Sequence, residues 1–241
     1  MLHRWHGPLL AVVCCLSLRA TAQWIAGGYA GAAHTVNSSL TIRQPALGTN
    51  VQFSDISYRG ESFQPPLYYG VRGGHLFGQW WGVEVEFTHL KVFLNADQPA
   101  RVTGTLNGMA IDSRQAVNTI VQRFSISHGV NLLLANAVFR HGVWHAGQQR
   151  LARAYVGLRL GAGATVPHPE SAIQGVADEH YQAGSPVFQF AGNIEVRIHG
   201  RLYWMGEYKF TRTREQVDVN SGTATSLLQS NHLVTGPSIH F

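Results

Sequence analysis

From Trp24 to Phe241 the chain repeats one pattern: apolar and polar residues alternate, nearly one for one. That period puts successive side chains on opposite faces of an extended backbone, so it specifies β-strands. The clearest case is 202–213. Leu202, Trp204, Gly206, Tyr208 and Phe210 share one face there, and Tyr203, Met205, Glu207, Lys209 and Thr211 the other. Seven further segments read the same way: 24–36, 67–76, 81–93, 131–140, 154–166, 188–198 and 231–241. No apolar run beyond the N-terminal segment is long enough for a transmembrane helix.

The connections alternate in length. Residues 77–80 and 199–201 are tight and 141–152 is somewhat longer, whereas 37–66, 94–129, 167–185 and 214–230 are long. Four long loops on one side and three shorter turns on the other is the layout of an eight-stranded antiparallel outer-membrane β-barrel. The expected fold is therefore all-β, with residues 23–241 forming the barrel and both termini on the periplasmic side. Residues 1–22 read as a secretory signal: Arg4, an apolar run over 8–18, then Ala20-Thr21-Ala22 before the cut. Both cysteines, Cys14 and Cys15, lie inside it, so no disulfide frames the barrel.

A soluble barrel would point its apolar face inward. Here the polar face carries Gly157, Gly161, Gly163 and Thr165, an odd coat for solvent, while Trp81, Phe93, Trp204 and Tyr208 mark strand ends on the apolar face. The lumen then receives Arg72, Arg140, Arg159, Arg197 and Lys209 against Glu84, Glu86, Glu195 and Glu207, with Asn136, Gln189 and Asn193 between them. Eight strands leave room for side chains and not for a pore. An ionic plug is expected. The formal charge of +5 is spread along the chain, whereas nucleic-acid binders cluster theirs, so no nucleic-acid partner is expected.

Several stretches resemble a known family of small outer-membrane barrels, the lipid A oxidases. They are Ser62-Phe63-Gln64-Pro65-Pro66-Leu67-Tyr68-Tyr69-Gly70-Val71-Arg72 and Gly82-Val83-Glu84-Val85-Glu86-Phe87-Thr88-His89-Leu90-Lys91-Val92, then Gly129-Val130-Asn131 with Asn136 and Arg140, Val166-Pro167-His168, and Glu207-Tyr208-Lys209. The similarity runs through nearly all of 23–241 and its most specific piece is Phe87-Thr88-His89-x-Lys91. It implies an outer-membrane enzyme that oxidises the proximal glucosamine of lipid A to an aminogluconate unit with molecular oxygen.

The residues can also be read without the family. Lipid A fills the outer leaflet, so chemistry on it needs groups at the extracellular rim. His89 and Lys91 end the third strand at that rim, His128 and Asn131 open the fourth, His168 and Glu170 leave the fifth, and His180 and Tyr181 approach the sixth. The expected catalytic set is His89, His168, Glu170 and Glu86, with Lys91, Asn131, Tyr68 and Tyr69 holding the substrate. Cations at this height suit lipid A phosphates. Imidazole and carboxylate suit Fe, Cu or Zn, which makes His89, His128 and His168 the candidate ligands of a divalent metal. The expected partner is lipopolysaccharide and the expected state a monomer.

Two other readings stay open. A structural or adhesive barrel would use the same loops to bind a partner. A lipid A deacylase would need a Ser and His together at the rim, for which Ser125 and Ser127 beside His128 supply residue types but no orienting third group.

Overall fold

The computed structural model describes residues 23–126, 129–145 and 152–241. The expected signal peptide, Ser127 and His128 lie outside the described residues. The strands are β1 (Gln23–Thr35), β2 (Ser38–Gln44), β3 (Thr49–Ile56), β4 (Tyr58–Arg59), β5 (Tyr69–Phe77), β6 (Trp81–His89), β7 (Val92–Leu94), β8 (Pro99–Leu106), β9 (Met109–Ala116), β10 (Val121–Ile126), β11 (Leu132–Trp144), β12 (Ala154–Thr165), β13 (Glu170–Ile173), β14 (Val176–Glu179), β15 (Pro186–His199), β16 (Leu202–Val219) and β17 (Gly222–His240).

Eight of them, in the order β1-β5-β6-β11-β12-β15-β16-β17, close into a barrel because β17 also pairs with β1. Every neighbouring pair is antiparallel, and closure leaves the barrel itself no open edge. The two ends of the chain meet: the Phe241 amide donates to the Trp24 carbonyl at 2.8 Å. These eight strands correspond to the eight read from alternation.

Alternation also sorts the side chains as expected. Val83, Val85, Leu133, Leu158, Leu160, Phe188, Phe190, Ile194 and Leu233 lie exposed outside, and Val85 keeps 60% of its surface open. Trp24, Trp80, Trp81, Trp144 and Trp204 all collect near the end with the short turns.

Inside, Glu84, Glu86, Glu195 and Glu207 are buried with Arg72, Arg140, Arg159 and Lys209. Glu207 sits at the hub. Its carboxylate accepts from Arg72 at 2.8 Å and from Arg159 at 2.8 Å, with Lys209 at 3.7 Å. Glu84 takes Arg159 at 3.1 Å, and the His240 imidazole lies 2.9 Å from Glu195. The small residues of β12 now have a use. A Cβ on Gly161 would lie 2.0 Å from the Asn136 amide oxygen, so glycine there makes room for a lumen amide. Gly70 does the same for the Tyr29 ring. Arg197 is only half-buried and stands apart from this network's centre.

The long connections differ from expectation. Segments 37–66, 94–129 and 214–230, read as polar loops, are largely strands. β16 and β17 run on past the rim to a tight turn at Asn220-Ser221, with Val219 opposite Gly222. β2 then pairs with the extended β17, β3 with β2, β8 with β3 and β9 with β8, so the barrel wall continues into a ledge. A second sheet runs β14-β13-β10-β7-β4. Leu40, Ile42, Val51, Phe53 and Val102 of the ledge share one apolar core with Val92, Val121, Phe124, Ile126 and Ile173 of the second sheet. That core also takes in Leu132, Leu134 and Met205 of the barrel, which makes the whole a folded cap over the mouth. The sequence reading failed here because the strands outside a bilayer have a polar outer face, so they resemble loops. The alternation of Val217 and Val219 with Gln216 and Asp218 was the available signal.

Glu215 lies where cap meets barrel, beyond the last β15–β16 pair at Val187 and Thr213. Burial pushes its carboxyl above the ordinary glutamate range, although Thr165 at 2.8 Å and Thr213 at 3.2 Å both donate to it. A raised folded pKa means that the native state binds more protons than the unfolded one, so stability falls as pH rises through that window. Glu215→Gln is expected to flatten this slope. Urea midpoints of both proteins from pH 4 to 8 are the check, and parallel curves would refute it.

Candidate functional site

The rim site starts from the end of β6. Thr88 points into the lumen, so the next residue, His89, points out, yet it is 6% exposed. Three neighbours cover it. Tyr69, its register partner on β5, stacks on the imidazole with centroids 5.5 Å apart and planes 22° apart. The segment Gly129-Val130-Asn131 wraps the other side: Gly129 has φ 106° and Asn131 φ 47°. Only glycine fits at the first position, since a Cβ there would lie 2.6 Å from His89 Nδ1. Asparagine is among the few side chains that accept the left-handed conformation at the second.

Asn131 fixes the ring. Its side-chain nitrogen donates to the Val166 carbonyl at 3.1 Å, which turns its oxygen toward His89 Nδ1 at 2.9 Å. In the neutral imidazole Nδ1 therefore carries the proton and Nε2 keeps its lone pair. Nε2 is buried and has no hydrogen-bond partner among the described residues. A buried imidazole nitrogen held in one tautomer, with no donor beside it among the described residues, is suited to receive a proton or a ligand.

The backbone ties the next segment in. The Val130 amide donates to the Leu90 carbonyl at 2.7 Å and the His168 amide to the Gly129 carbonyl at 3.3 Å. The His168 ring stacks on Tyr181 at 4.1 Å and its Nε2 is 3.7 Å from Glu179. Glu170 opens β13 and meets Arg123 at 3.4 Å. His89 and Asn131 thus meet at the rim with the His168 backbone tied to Gly129, Glu170 lies on the second sheet beside Arg123, and His128 lies outside the described residues. Sequence reading had placed Tyr181 at this height without giving it a role. Its stacking on His168 is the contact that was missed.

Three other expected site residues go elsewhere. Glu86 is three positions from His89 and so faces the lumen, where Tyr29 at 2.5 Å, Gln189 at 2.7 Å, Asn136 at 2.8 Å and the Lys209 ammonium surround its carboxylate. Tyr68 points inward to His232 at 3.0 Å, while its neighbour Tyr69 points out. Lys91 lies beyond β6 and folds back under the cap, donating to the Gln64 carbonyl at 2.9 Å with Glu61 at 3.9 Å. Ser125 is buried in β10 between Phe93 and Glu170. Among the described residues no three His, Cys, Asp or Glu side chains converge as a metal set.

A closed eight-stranded barrel with an apolar outer belt, tryptophans at one edge and paired charges inside is an outer-membrane β-barrel. In water that belt would be an aggregating surface, and in a bilayer it is a lipid-facing one. Val85, midway along β6, tests this. Val85→Arg is expected to cost about 2–4 kcal/mol of unfolding free energy in phospholipid vesicles. A cost near zero would place β6 outside the hydrocarbon.

No protein-family model and no curated protein matches the sequence. Several solved structures are similar in outline. They include the outer membrane protein OprG from Pseudomonas aeruginosa, at 12% identity over 92% of this chain and 97% of that one, with a TM-score of 0.47. Neisserial surface protein A is 9% identical over 91% and 99%, with a TM-score of 0.44. Ail, the attachment invasion locus protein of Yersinia pestis, is 10% identical over 88% and 97%, with a TM-score of 0.33. The assignment to outer-membrane barrels rests on the belt, the lumen and the closure, and needs none of these likenesses.

Proposed function

We propose that this barrel is a lipid A oxidase, converting the proximal glucosamine of lipid A to an aminogluconate unit with molecular oxygen as the electron acceptor. The observation that carries the proposal is the His89 imidazole at the rim, oriented by Asn131 and covered by Gly129 and Tyr69, with Nε2 lacking a hydrogen-bond partner among the described residues. Oxidation of a sugar C1 that bears a free hydroxyl removes two electrons and two protons and leaves a lactone, which water opens to the acid. Oxygen takes up both electrons and both protons as hydrogen peroxide. His89 Nε2 is the group suited to accept the hydroxyl proton. Tyr69, half exposed beside it, offers an aromatic face to the sugar.

The folded cap favours a second reading, an adhesive or structural barrel. Its ledge ends in the exposed edge strand β9, and an open edge is a pairing template for another chain. The lipid itself decides between the two. Lipid A from aerobically grown cells carrying the exported protein is expected to include a species heavier by one oxygen atom than the vector control. Loss of an acyl chain would indicate a deacylase. An unchanged spectrum from a folded, exported barrel would remove both enzyme readings in that host and leave the adhesive one.

A further inference from the structure

The outer face of β16 changes character along its length. Trp204, Tyr208 and Phe210 belong to the apolar belt, and the next two outward residues are Arg212 and Arg214, both exposed. Two positions on a strand put these guanidinium groups on one face with origins about 7 Å apart. Arg212 stands opposite Phe188 on β15, and Arg214 opposite Leu227 on β17. Both line a cleft of about 440 Å³ that opens between the barrel wall and the ledge, where Ser39, Thr41 and Gln52 form the other side. Neither arginine has a carboxylate partner among the described residues. The Asp112 carboxylate farther along the ledge is occupied by Arg101 at 2.9 Å.

We infer that this cleft is a binding site for a phosphate group of an outer-leaflet glycolipid. Height decides the class of ligand. The cleft begins where the apolar belt stops, so a bilayer that covers Phe190 and its partner Phe210 brings its headgroups level with Arg212 and Arg214. Two guanidinium groups with no carboxylate partner among the described residues match a phosphate at that level, each through paired N–H donors. The hydroxyl and amide groups of Ser39, Thr41 and Gln52 suit the hydroxyls of the sugar that carries it. Acyl chains from the same molecule then lie on Phe190 and Phe210 below. β16 is four strands round the eight-stranded barrel from β6, so this site faces away from His89. It holds a resident lipid whether or not the barrel oxidises one.

The test is binding by the folded mature protein in detergent micelles, with lipid A and its dephosphorylated form as probes. The wild-type barrel is expected to hold the phosphorylated lipid about tenfold more tightly for each arginine engaged, roughly a hundredfold in all. Arg212→Gln with Arg214→Gln is expected to bind both lipids equally, and added salt to weaken wild-type binding alone. Arg101→Gln, at an exposed arginine outside the cleft, should bind as wild type does, which ties any loss to the cleft itself. Heat-modified mobility on gels reports folding, and the single variant Arg214→Gln serves if the double one fails to fold. Equal affinity of wild type and variant for the phosphorylated lipid would overturn the inference. So would full displacement by inorganic phosphate at concentrations near that of the lipid, which would mark a site for the free ion.

Discussion

Glu207→Ala is expected to cost about 3–5 kcal/mol of unfolding free energy, the range for breaking a buried ion pair by removing one partner. Glu207 holds Arg72 and Arg159 at 2.8 Å each, in a lumen where both arginines are 3% exposed. Without it those two cations face each other across remaining carboxylates: Glu84 at 3.9 Å and Glu86 at 4.0 Å from Arg72. The eight-stranded wall cannot admit enough water to solvate them, so the penalty falls on the fold. Arg72→Met combined with Glu207→Met should cost less than the two single changes added together, because the pair then leaves as a unit and three cations still face three carboxylates. Urea unfolding in phospholipid vesicles measures all of these. Strict additivity would show that the lumen charges act singly, and a loss under 1 kcal/mol for Glu207→Ala would mean the lumen is wet.

His89→Ala is expected to lower lipid A oxidation by about 100-fold or more, the usual scale for a general base removed from a reaction. Stability should change little, since among the described residues the ring's one hydrogen bond is to Asn131 at the rim. Asn131→Ala is the informative companion. It leaves the imidazole in place and removes the group that holds Nδ1–H, so Nε2 is no longer the fixed acceptor. Its expected effect is a fall in turnover with a displaced pH profile, whereas a purely structural role for Asn131 would move stability alone. Gly129→Ala should mimic His89→Ala, because the new methyl takes the space of the ring. Full oxidation by His89→Ala would eliminate the rim imidazole as the base.

Both outcomes depend on features of unequal visibility in the sequence. The lumen was legible: Glu84, Glu86, Glu207 and Lys209 sit at alternate positions, and alternation assigns them to one face whatever the rest of the chain does. The same rule separates His89 from Glu86 and Tyr69 from Tyr68, pairs that a grouping by height alone had joined. Position along β6 and β11 was enough to bring His89 and Asn131 to the rim. It was not enough to show that Asn131 adopts φ 47° and turns its oxygen onto the imidazole.

What the amino-acid sequence by itself determined was the membrane barrel: eight strands, their inward and outward faces, and an ionic interior. A two-residue period is a local property of the backbone, and a lipid exterior makes the contrast between faces large enough to read. The cap, the burial of Lys91 beneath it, and the cleft between Arg212 and Thr41 were decided only by tertiary structure. Strands such as β2, β3 and β8 carry polar outer faces because water lies beyond them, so their signal fades into that of loops. Their pairing joins residues as distant as Thr41 and Thr225, and no local pattern records a contact of that separation.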